Sequence, residues 1–159
     1  MDRSRHRYRF RSIWDLDAPP DRVYAVLEQA EQYPSWWPQV RSSGPPGIPG
    51  SNAARIRSVL PYELHITAVE LLRDPARGIL EAALHGDLEG WARWTVRRRP
   101  GPGAPRTRAL YEQEVEMRRP LLRLLSLPGR PLFRLNHALM MRAGRRALAA
   151  RLAAPPEAV

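Results

Sequence analysis

The chain of 159 residues has no cysteine, which excludes a disulfide framework, a thiol nucleophile and a thiolate metal site. Its formal net charge is +10 and all 26 basic residues are arginine; nucleic acid or an anionic membrane are the partners this raises, against the plainer reading of a solvated basic surface. The basic start MDRSRHRYRF is not followed by the apolar stretch of a secretory signal, and no run approaches the roughly 18 apolar residues of a membrane span, so one cytoplasmic domain over 1–159 is expected.

From Arg7 to Leu16 the residues alternate. Tyr8, Phe10, Ser12, Trp14 and Leu16 share one side of an extended strand; Arg7, Arg9 and Arg11 share the other, with Arg3 and Arg5 continuing their parity. Such a stripe has the spacing to follow phosphates or a headgroup plane, but no aromatic residue interleaves on it to stack on bases, which favours a solubilising face. APPDRVYAVLEQA then predicts a helix, with prolines at its start, Asp21 at its positive end and Val23, Val26, Leu27 and Ala30 on one face. In YPSWWPQV, Trp36 and Trp37 form a short second turn or helix closed by Pro38.

SSGPPGIPGSN reads as a loop. After it, segments at about 54–60, 62–72, 78–86, 88–99 and 107–118 read as a meander of antiparallel strands, with RDPARG and RPGPGAPR supplying turn chemistry. In the last of these, Glu112, Glu114 and Glu116 share one face, and Tyr111, Gln113, Val115 and Met117 the other. The segment 120–152 predicts a helix with a break at LPGRP. On a helical wheel Arg130, Arg134, Arg142, Arg145 and Arg146 cluster opposite Leu132, Leu139, Met140, Ala143 and Ala147, with Phe133 at the edge. Asn136 falls near the middle of the apolar face and His137 on its border, so an inward face centred on Leu132, Asn136, Leu139, Met140 and Ala143 is expected. The tail, 154–159, is expected to fray.

Hydrolase, kinase and dinucleotide signatures are missing. His6, His65, His85 and His137 lack metal-ligand spacing, so no metal and no cofactor is expected. His85 and Asp87 lie close in sequence but read as an exposed turn.

SIWDLDAPPDRVYAVLEQAEQYPSWWPQV, LPYELHITAVELL, GDLEGWARWTV and RPLFRLNHALMMRAGRRAL together resemble the START-like helix-grip (SRPBCC) superfamily, in its polyketide cyclase/dehydrase and lipid-transport branch. The likeness spans about 8–152. It implies an α+β helix-grip fold: a curved antiparallel sheet wrapped around a long C-terminal helix, with two small helices after the first strand. It also implies a cavity, with one indole of the tryptophan corner as a plug and the other at the cavity or its mouth.

By alternation the inward set is Trp14, Leu64, Ile66, Leu84, Trp94, Val96, Tyr111, Gln113 and Met117, with Tyr62 sharing the parity of Leu64. Ile56 and Ser58 point inward between Arg55 and Arg57. The candidate ligand-binding residues are Trp36, Trp37, Tyr62, Leu64, Ile66, Trp94, Tyr111, Gln113, Asn136 and Met140. No general acid/base pair is visible, and no catalytic residue is assigned.

Three functions fit. The first is binding of an apolar small molecule such as a lipid, polyketide or isoprenoid. The second is a polyketide aromatase/cyclase or dehydratase working mainly by folding its substrate. The third is an interaction protein using its arginine surface, in the manner of ribosome-associated or quinone-chaperone relatives. A contiguous arginine face would favour the third. No specific nucleic acid is expected, and at most weak contact with a membrane surface.

Overall fold

A computed structural model describes residues 7–42, 51–57, 63–118 and 120–155, apart from the side chains of Ser42 and 120–129. Arg3, Arg5, Ser58, Tyr62 and the tail beyond Pro155 lie outside the described residues.

Among the described residues seven strands form one antiparallel sheet: β1 (Arg7–Leu16), β2 (Val40–Ser42), β3 (Ser51–Arg57), β4 (Glu63–Asp74), β5 (Ile79–Gly86), β6 (Leu88–Arg99) and β7 (Arg106–Met117). Their order is β1-β7-β6-β5-β4-β3-β2, so the first strand lies beside the last and the remainder is a meander. The curled sheet wraps a long helix, α3 (Pro120–Ala153); α1 (Pro20–Leu27), a single 3₁₀ turn (Ala30–Gln32) and α2 (Tyr33–Trp36) follow β1. This is the expected helix-grip architecture. β2, three residues pairing Val40 with Ile56, escaped the sequence reading because it is too short to show a period.

Alternation in β1 holds: Tyr8, Trp14 and Leu16 are buried, while Arg7, Arg9 and Arg11 are exposed. The register places Arg7, Arg9 and Arg11 opposite Glu116, Glu114 and Glu112 of β7. Arg9 donates to Glu114 at 2.9 Å, and Arg7 lies 3.3 Å from the same carboxylate. The basic stripe thus meets an acidic stripe on the wet face, where opposite charges across a strand pair favour that pairing.

The tight turn between β4 and β5 depends on Gly78, whose φ of 69° suits glycine. A Cβ there would collide with the carbonyl oxygen of Val96. Further back on β4 the register shifts between Glu70 and Leu72, a bulge that leaves Leu71 exposed.

Two expectations for α3 are corrected. The helix runs through LPGRP without ending; each proline removes its own N–H, and a long helix packed along a sheet can carry that local loss. Its buried face is Phe133, Met141, Gly144, Leu148 and Leu152, joined by half-buried Asn136, His137, Met140 and Ala143. Leu132 and Leu139 point to solvent instead, at 51% and 42% exposure. Arg134 and Arg142 are exposed as expected.

Among the described residues, the buried ones fall into two clusters. One joins Trp14, Leu16, Val23, Leu27, Trp37, Trp94, Val96, Met141 and Leu148. The other joins Tyr8, Leu84, Leu88, Val115, Met117 and Phe133. Residues of both clusters line one cavity.

Candidate functional site: a cavity between sheet and helix

The concave face of the sheet and the inner face of α3 enclose about 670 Å³. This lies within the range of small-molecule sites. Aliphatic and aromatic groups dominate the wall: Phe10 from β1, Ala54 and Ile56 from β3, Leu64 and Ile66 from β4, Leu80 and Leu84 from β5, Trp94 from β6, and Val115 and Met117 from β7. Phe133, Asn136, His137 and Met140 of α3 close it. Period two in the strands explains this wall, since every second side chain of a curled sheet meets the same interior.

The structure brings eight of the ten candidate residues to this wall: Trp37, Leu64, Ile66, Trp94, Tyr111, Gln113, Asn136 and Met140. Trp36 is not among them. It lies outside Trp37, stacked on that ring at 5.5 Å and against Tyr33 at 5.2 Å. Trp14 and Val96, read as inward, are inward but belong to the core beside the cavity. Arg55 sits 3.8 Å from Glu63, while its neighbour Ile56 faces the cavity.

Trp37 resolves the tryptophan corner. Its indole Nε1 donates to the backbone oxygen of Met140 at 3.1 Å. Its ring lies against Gly144, where an added Cβ would come within 2.5 Å of it. Trp14 follows at 5.3 Å, then Trp94 at 4.7 Å from Trp14 and Tyr111 at 4.8 Å from Trp94, giving a chain of rings from the corner to the cavity. One indole is thus both plug and cavity wall.

The polar groups of the wall converge on one atom. Tyr111 donates its hydroxyl to Gln113 Oε1 at 2.9 Å, and His137 Nε2 lies 3.2 Å from the same oxygen. An amide oxygen only accepts, so His137 carries its proton on Nε2 and leaves Nδ1 as the lone pair. Burial lowers the pKa of His137 to about 4, so the ring is neutral at neutral pH. Burial raises the Tyr111 phenol, which stays protonated. The imidazole also stacks on Phe10 at 3.9 Å. Sequence reasoning placed His137 only at the border of the helix face and gave it no role; the usable signal was its spacing from Phe133 and Met140, four before and three after.

Exposed Glu31, Glu70, Leu72 and Arg73 also line the cavity and mark its opening, beside the end of α1. There Arg73 of β4 binds Glu70 at 2.7 Å and reaches Glu28 twice, carboxylate and backbone oxygen, each at 3.5 Å. His85 and Asp87 do not act together: His85 pairs with Glu89 at 3.1 Å, and Asp87 accepts from the His65 backbone at 2.9 Å. Among the described residues no three His, Asp or Glu side chains gather as metal ligands. None of the described helices is long and apolar enough to cross a membrane.

A match over residues 8–155 shows that the chain belongs to the family described as polyketide cyclase / dehydrase and lipid transport. Among solved structures it is similar to the Zhui aromatase/cyclase from Streptomyces sp. R1128, with 16% identity, TM-score 0.67 and coverage of 92% of this chain and 94% of that one. It is similar to the di-domain ARO/CYC BexL from the BE-7585A biosynthetic pathway, with 19% identity, TM-score 0.69 and coverage of 96% and 52%. A START superfamily protein from Mycobacterium smegmatis aligns with 15% identity, TM-score 0.65 and coverage of 91% and 96%. These likenesses establish the helix-grip fold. No curated protein matches the sequence.

Proposed function

We propose that this protein binds an apolar small molecule of the lipid, polyketide or isoprenoid class, held between the sheet and α3 with an oxygen of the guest at Gln113. The observation that carries this reading is the roughly 670 Å³ apolar space with one convergent polar group on its wall. Tyr111 and His137 both donate into Gln113 Oε1. The amide NH₂ is the donor left for a guest, which favours a ketone, ester or similar acceptor. Trp37, Leu64, Ile66, Trp94, Asn136 and Met140 supply the remaining contact surface in this reading.

Binding is favoured over turnover by the state of His137. Among the described residues its polar partner is an amide, and general acid/base work is better served by a group whose pKa lies near the working pH. In the alternative reading, aromatase/cyclase chemistry as named for two of the similar structures, the cavity would act mainly by folding the substrate.

Binding of N-phenyl-1-naphthylamine, followed by displacement with a long 2-alkanone or the matching alkane, tests the proposal. The ketone should displace the dye about threefold to tenfold better, and Gln113→Leu should remove the difference. No dye binding, or equal displacement by both competitors, would overturn it. Native mass spectrometry of protein from its own host identifies the natural guest.

A further inference from the structure

The net charge of this protein is concentrated on one helix. α3 contains seven of the 26 arginines and none of the 16 acidic residues, so it holds seven of the ten net positive charges. On the outer face of the sheet the arginines are largely matched: Arg9 by Glu114, Arg93 by Glu81, Arg108 by Asp15. Exposed Arg134, Arg142 and Arg146 make no ion pair among the described residues.

Leucines share this face. Leu132, Leu135 and Leu139 are 51%, 56% and 42% exposed, in steps of three and four that follow one line along the helix. Arg142 and Arg146 continue the line, which from Leu132 to Arg146 measures about 21 Å. A single exposed leucine is ordinary, but three aligned and flanked by unpaired arginines form the pattern of a helix that lies in a membrane interface.

We propose that the outer face of α3 docks on an anionic lipid bilayer, with Leu132, Leu135 and Leu139 below the headgroups and Arg134, Arg142 and Arg146 on the phosphates. Charge complementarity selects this occupant: a second copy would set arginine against arginine with no acid on the helix to offset them. A nucleic acid would leave the three leucines against phosphate, and among the described residues of α3 no aromatic ring stands on the outer face to stack on bases, Phe133 being buried inward. The opposite side of the same helix lines the cavity with Phe133, His137 and Met140. The docking does not depend on what the cavity holds.

Co-sedimentation with vesicles of phosphatidylcholine, alone or mixed with phosphatidylglycerol, at low and high salt, tests it. The protein should bind the mixed vesicles, bind neutral vesicles weakly, and release in high salt. Leu135→Glu with Leu139→Glu, and separately Arg142→Gln with Arg146→Gln, should each weaken binding by at least about tenfold. Melting temperature and N-phenyl-1-naphthylamine binding should stay unchanged in both. If the leucine pair disturbs folding, the arginine pair carries the test. Equal binding to neutral vesicles, undiminished binding by a folded variant, preference for a single-stranded oligonucleotide, or a dimer that the leucine pair dissolves would each overturn the proposal.

Discussion

His137 is a base held away from water, and its linkage to folding has a definite sign. The unfolded imidazole takes its proton near pH 6.5, whereas the folded one resists until about pH 4. Its neutral form is therefore compatible with folding at full strength above pH 6.5. Stability should fall as pH drops from 6.5 toward 4, by about 2–3 kcal/mol for this one group. Urea titrations across that window should show the loss, and His137→Phe should flatten it; a profile unchanged by the substitution would contradict the assignment. Two of the three buried tryptophans divide in another way. Trp14, 1% exposed and flanked by Trp37 and Trp94, should lose about 3–5 kcal/mol on truncation to alanine. Trp94→Ala should cost less stability and weaken dye binding more, because one of its faces borders the cavity. Equal losses of melting temperature with unchanged dye affinity would refute that division. Trp94, Tyr111 and Gln113 could be placed from sequence because a strand's period of two leaves only two faces to choose between.

At the scale of elements, α3 and the corner before β2 are joined through Gly144. An alanine there would push its Cβ into the Trp37 ring and disturb the bond from Trp37 Nε1 to Met140. Overpacking of this kind costs about 1–3 kcal/mol, against a gain of about 1 kcal/mol from replacing a helical glycine. Gly144→Ala should thus be a net loss in denaturant titration, whereas Ala149→Gly on the exposed side should lose only the propensity term. The sequence disclosed α3 but misjudged its rotation. Apolar residues occur nearly all round this helix, so hydrophobicity could not tell outward Leu132 and Leu139 from inward Phe133 and Met141. Likewise the arginine stripe of β1 and the glutamate stripe of β7 were each legible alone. Their meeting depends on β1 lying beside β7, a long-range pairing that no local pattern contains.

At the scale of the molecule, the described residues form two buried clusters that both border one space, shared by the inner faces of a sheet and a helix. The order of elements, one strand, two small helices, a meander and a long helix, required a helix covering the sheet, and the family resemblance implied the helix-grip architecture. The size of the space and its opening were not legible, since both depend on how far the sheet curls. At that opening Arg73 ties β4 to the end of α1 through Glu70 and Glu28. Such a tie touches traffic more than affinity. A guest of the proposed kind that passes this tie on the way in and on the way out would be slowed in both directions, with their ratio nearly unchanged. Arg73→Ala should therefore raise the association and dissociation rates of N-phenyl-1-naphthylamine together in stopped-flow measurements, with an equilibrium constant close to that of the native protein. A change confined to one rate would mean that Arg73 touches the guest itself. If both rates rise, a protein that holds a guest as proposed above keeps it in part by delay.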